Sequence, residues 1–137
     1  MRYGRYGWSY LLLRVSLGVV FTWIGVDILR HPESWLGFVP PGLPGGLSRE
    51  SSLKLNGVLD IALGLLLLGD KLPKLTALVA ALHLIGILVT QGINAVIIRD
   101  VGLLGATLAL LVWPHGRRRH RLGQYLPFRR RQPEFGD

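Results

Sequence analysis

Three residues able to carry hydrogen-bond or proton chemistry stand inside apolar stretches of this 137-residue chain: Arg14 in LLLRVSLG, Asp60 in GVLDIALG and His83 in ALVAALHLIG. A guanidinium and an imidazole can donate to the carbonyl of a quinone-like head lying in an apolar slot, while a carboxylate holds the guanidinium in place. The same trio suits a proton-handling site. Charge in hydrocarbon costs several kcal/mol, so such groups face a partner or a cavity and mark functional sites by default.

The elements that must position them are membrane spans. Half of the residues are hydrophobic, the mean hydropathy is +0.39, and the apolar residues fall in long blocks. A hydrocarbon core of roughly 30 Å takes about 20 apolar helical residues. Four blocks approach that length: 8–29, 53–69, 75–98 and 101–113. The second and fourth are short and call for tilt, thinning or helical extension into their flanks. A soluble helical protein needs a polar stripe along each helix, and LDIALGLLLLG and LTALVAALHLIGILV have none wide enough. The first block follows Arg2 and Arg5 as a signal peptide does, but its length, its internal charges and its lack of a small-x-small cleavage site make it a retained span.

The fold expected is therefore all-α: a polytopic membrane protein with an antiparallel four-helix transmembrane bundle at 8–114, a short N-terminus at 1–7 and a basic tail at 115–137. With both ends in the cytoplasm, Arg2, Arg5, Lys71, Lys74 and the tail arginines lie inside, which satisfies the positive-inside rule. Residues 30–52, rich in Pro and Gly, form an outer lid loop anchored by Trp35 and Phe38. Ser48 or Ser51 caps the second span, Gly69 ends it, Pro73 opens the third, and Asp100 caps the fourth. Gly18 with Gly25, Gly57 with Gly64, and Gly102, Gly105, Ala106 and Ala109 are expected at helix contacts, because close approach replaces the hydrophobic drive in lipid.

Counting depth at about 1.5 Å per residue from the cytoplasmic ends puts Arg14 roughly 9 Å deep, Asp60 roughly 13 Å and His83 roughly 12 Å. At about 100° per residue, each shares a face with small residues, and His83 heads a stripe of Gly86, Thr90 and Asn94. A buried cluster of Arg14, Asp60 and His83, extended by Thr90 and Asn94, is the expectation. An outer polar rim gathers Asp27, Asn56, Gln91, Arg99 and Asp100, with Asp27 paired to Arg30, Arg99 or water. A purely structural alternative stands beside it: an Arg–Asp pair that fixes register, an Arg14 that snorkels to the cytoplasmic face, and a His83 bonded to a backbone carbonyl.

The absence of cysteine excludes disulfides, thiol redox chemistry and cysteine-bound metals within the chain. The histidines have no i, i+4 pair, so no metal site is expected. A net charge of +8 raises the question of nucleic acid, but the tail arginines are better explained as a topology anchor touching anionic headgroups.

The motifs LRVSLGVVFTWIGVDIL, GVLDIALGLLLLGDKLPKLTALVAALHLIG and RDVGLLGATLALLVW together resemble the DoxX-like family of small four-span membrane proteins. Arg14, Gly18 and Gly25 match its first-span motif, Asp60 falls where a glutamate is usual, and Arg99, Asp100 and Gly102 match the opening of its last span. The chain departs from the family at VDILR, where a lysine is common. The resemblance implies a membrane subunit or accessory of a redox system, not a complete enzyme on its own, in a prokaryotic inner membrane. A quinone is the possible ligand, with no covalent cofactor; a redox subunit or a second copy is the possible partner. A small-solute or proton-coupled transporter and a structural scaffold are the alternatives.

Overall fold

A computed structural model describes residues 5–41, 45–91, 94 and 96–114. The described chain is helical: α1 is Arg5–Arg30, α2 the single turn Pro32–Trp35 running into a 3-10 turn at Leu36–Phe38, α3 Arg49–Leu68, α4 Pro73–Gln91 and α5 Ile97–Val112. Three helices, α1, α3 and α4, are long and apolar enough to cross a membrane. Their outward faces carry bare apolar side chains such as Val19 and Trp23 on α1, Leu55 and Leu65 on α3, and Leu82 and Val89 on α4. Water would penalise that surface and lipid solvates it. At 16 residues, α5 is shorter than the roughly 17–25 residues of a span. The tail, with His115 and His120, lies outside the described residues.

Local chemistry explains the ends. Ser48 caps α3 by accepting from the Ser51 N–H at 3.1 Å, and Glu50 in its first turn complements the helix dipole. Gly69 closes α3 by donating to Leu65 O at 2.9 Å. The left-handed residues of the following turn, however, are Asp70 at φ 54° and Leu72 at φ 46°. Asp tolerates that region better than Leu, whose Cβ crowds the carbonyl there. Pro73 begins α4 as its sequence position suggests.

The α4–α5 boundary differs from the sequence expectation. α4 ends at Gln91 and α5 begins at Ile97, so the break precedes the expected 98–101 turn. Asn94 stands at the start of α5: its side-chain oxygen accepts from the Val96 N–H at 2.9 Å and its carbonyl accepts from Ile98 N at 3.1 Å. A short amide side chain that bonds to nearby backbone competes with helix continuation. Asp100 consequently sits inside the first turn of α5, not at its cap, and its side chain is buried.

Packing is uneven. α1 runs antiparallel to α3, with Gly18 opposite Gly64 and Gly25 opposite Gly57. A Cβ on Gly64 would collide with Thr22, and one on Gly25 would meet Gly57 O and Ile61. This is the densest seam of the molecule, with α4 on α5 second, while α3 and α4 touch only sparsely. Of the small residues expected at a contact, Gly102 and Gly105 face open space while Ala106 packs against the core, beside the buried Thr107 and Leu110. One apolar core joins Leu17, Phe21, Leu63, Leu67, Ala77, Ala80, Leu84 and Leu110. A smaller one, Ile28, Val39 and Leu53, lies under the lid segment.

Candidate functional site

The thin α3–α4 seam is where polar side chains meet empty space. Asp60 of α3 and His83 of α4 bridge it, with His83 Nε2 2.9 Å from Asp60 Oδ1. The two side chains are 5 % and 9 % exposed, so each is largely withdrawn from the surface. A carboxylate in that position accepts from Nε2–H, which leaves Nδ1 of the ring as the other hydrogen-bonding atom.

On one side of the bridge is an inner cavity of about 40 Å³, walled by Asp60, Asn56, Gln91, Arg99 and Asp100 and by apolar residues of α1, α5 and the lid. At roughly 10–15 Å³ per water it has room for about three waters, and none for an organic ring. On the other side is a lateral groove of about 300 Å³ between α3 and α4, lined by His83, Asn56, Gln91, Ser52, Gly86 and Thr90 among others. Leu82, Gly86 and Thr90 on its flank are exposed, so the groove opens sideways. Its floor is bare at Gly86, where an added Cβ would meet nothing within 4 Å. Asp60 lines the water-sized inner space and His83 the ligand-sized outer one, so their bond joins the two linings.

Asp100 lies near enough to Asp60 and His83 to interact with both electrostatically. It also meets Arg99, Nε to Oδ1 at 3.5 Å, with the arginine 47 % exposed and the aspartate 10 %. Four of the expected rim residues, Asn56, Gln91, Arg99 and Asp100, therefore share the inner cavity. Asp27 does not join them. It accepts from Trp35 Nε1–H at 2.9 Å and lies 3.2 Å from His31 Nδ1, tying the end of α1 to the lid in place of the expected Arg30 or Arg99. Arg49 fixes the lid from the other side by donating to Leu36 O.

The expected trio is split. Arg14 does not meet Asp60: its Nη1 donates to Leu67 O at 2.7 Å and Leu68 O at 3.0 Å, and it stands 3.6 Å from Asp70. Leu67 is seven residues beyond Asp60, roughly 10 Å along the helix, so the arginine serves a different layer. It caps the last carbonyls of α3, where the helix dipole is negative, and lies 5.9 Å from the Tyr10 ring centroid. Tyr10 in turn donates to Asp70 at 3.0 Å. Thr90 donates to Gly86 O of its own helix at 2.8 Å and takes its place on the groove wall, while Asn94 is the residue that starts α5. No group of three or more His, Asp or Glu suited to a metal occurs among the described residues.

Two partners escaped sequence reasoning. Asp70 was readable as a partner for Arg14 only through the turn that brings it back over α3, and Trp35 only through the lid's path across α1. Comparison of the chain with family models, with characterised proteins and with solved structures finds no match.

Proposed function

We propose that the chain is an integral membrane protein, a small subunit or accessory of a redox system in a prokaryotic inner membrane, that binds a quinone-like amphiphile in the groove between α3 and α4. In this arrangement α5 is a fourth, short span completing an antiparallel four-helix bundle. Both termini lie in the cytoplasm, where the basic tail meets anionic headgroups. The observation that carries it is a buried Asp60–His83 bond on the wall of a groove of about 300 Å³ whose flanks are apolar and exposed. A head group entering sideways from lipid finds a hydrogen-bonding imidazole and the amides of Asn56 and Gln91, while its tail remains among Leu82 and its neighbours. Asp60 holds the imidazole in one tautomer, the service a carboxylate gives to a histidine that must present its other nitrogen.

Gly86→Leu tests this without touching any polar group. Gly86 lines the groove and a Cβ added there meets nothing within 4 Å, so the larger side chain takes up space at the groove without displacing a neighbour at its Cβ. Binding of a decyl-chain benzoquinone to the purified protein, read by thermal shift and by quenching of tryptophan emission, is expected in the wild type and lost in Gly86→Leu. Equal binding by the two proteins, or none by either, removes the groove as a ligand site and leaves a structural scaffold.

A further inference from the structure

We infer that Asp60 and His83 form a proton relay from the lateral groove to the lid-end surface, and that the groove's ligand is an amphiphile with an acidic, phenol-type hydroxyl. The inference rests on the groove being a ligand site and adds the chemistry of its head group.

The polar groups are ordered along one line. His83 lines the groove and bonds through Nε2 to Asp60 at 2.9 Å. Asp60 lines the inner cavity together with Asp100 and Arg99, and Arg99 is half in contact with the outside. The cavity's volume of about 40 Å³ accommodates the one or two waters that would join Asp60 to Asp100, since it is polar and offers several partners. The groups facing the pair are Asp100 and Arg99 from α5, while α1 contributes Phe21, Ile24 and Ile28 and the lid contributes Trp35, Phe38 and Val39. With the imidazole neutral, Asp60, Asp100 and Arg99 sum to one negative charge. One proton can therefore enter the layer without building up positive charge in a low dielectric.

The step balances without oxidant or reductant. The ligand's O–H bond breaks and its proton goes to His83 Nδ1. The Nε2 proton passes to Asp60 Oδ1, and Asp60 releases it through cavity water and Asp100 to the medium. The phenolate remains against His83, and one proton appears in solution for each ligand ionised. Transfer of this kind is efficient when donor and acceptor are matched in acidity, which is why an acidic hydroxyl fits and an aliphatic alcohol does not.

The test uses a long-chain alkyl nitrophenol, whose phenolate absorbs in the visible, and its methyl ether. Added to the full-length protein in weakly buffered detergent, the nitrophenol is expected to bind with proton release and a phenolate absorbance, and the ether to bind with neither. Asp60→Asn and His83→Gln are expected to release far less than one proton per nitrophenol bound, whatever they cost in affinity, which ether binding reads separately; His83→Gln retains a donor for Asp60 yet cannot carry a proton. Nitrophenol bound by the wild type with no proton release, or released equally by both variants, overturns the relay while the groove stands. If neither probe binds to the wild type, the ligand site falls and the relay with it.

Discussion

The molecule buries charge at two levels, and only one of them borders a void. At the end that carries the α3–α4 turn, Arg14 is engaged through Nη1 by Leu67 O and Leu68 O, stands beside Asp70 and the face of Tyr10, keeps a buried Nε with no hydrogen-bond partner among the described residues, and lines neither of these two cavities. At the lid end, Asp60, His83 and Asp100 are as deeply buried, yet they wall the inner cavity and the groove. An intramembrane ionic group by default suggests a site. The contrast adds a condition: charge spent on carbonyls of a helix end is a fastener, whereas charge beside empty volume has capacity left for a ligand or a proton.

Substitutions can sharpen that contrast or break it. The largest effect is expected from Arg14→Met, which removes the side-chain donor to Leu67 O and Leu68 O and the cation beside Asp70 and costs about 3 kcal/mol, as loss of a buried charged hydrogen-bonding partner does. Unfolding in mixed micelles measures it, and quinone affinity in the surviving folded protein should be unchanged. A loss of affinity at unaltered stability would merge the two levels and defeat the distinction.

Glycine substitutions probe the same asymmetry. Gly25→Ala forces the α1–α3 seam apart against Gly57 O and Ile61, an overpacking expected to cost about 2 kcal/mol. Gly86→Ala, in open space on the groove floor, should instead raise stability by up to about 1 kcal/mol through helix propensity. Thermal unfolding of the pair in one detergent checks both signs. Should Gly86→Ala destabilise, the groove is filled by something the protein needs.

Ser48→Ala, which removes the α3 cap, should cost about 1 kcal/mol. Because α3 carries Asp60, the same variant should loosen the lid end more than the turn end, visible as faster amide exchange near Arg49 than near Leu67. Smallest of all, Asp27→Asn weakens the acceptor of Trp35 Nε1–H. It should shift Trp35 emission, in a protein with the other tryptophans replaced by Phe, without a measurable change in unfolding.

Much of the frame was legible before any coordinates. Block length and hydropathy identify α1, α3 and α4 as helices long and apolar enough to cross a membrane, and Ser48, Gly69 and Pro73 mark ends that the helices respect. Depth counting also puts Asp60 and His83 in one layer, because 1.5 Å per residue is a property of the helix and not of its neighbours. Counting failed for Arg14, whose flexible side chain reaches about a turn beyond its Cα and whose choice between Asp60 and helix-end carbonyls depends on how α1 slides along α3. The Gly18–Gly64 and Gly25–Gly57 contacts set that slide.

What the sequence alone determined is the periodic and additive part: an all-helical chain, apolar enough to enter lipid, with ionisable groups at particular depths. Tertiary structure decided which of those groups meet and where space is left between them. Asn94 bonded forward to Val96 and Ile98 at the start of α5, and the turn through Asp70 folded a carboxylate back onto Arg14. α1 packs closely on α3 while α3 and α4 touch more sparsely, and the Asp60–His83 bridge lies in that thinner seam. Such outcomes depend on sub-ångström fit between distant segments, which no local period encodes.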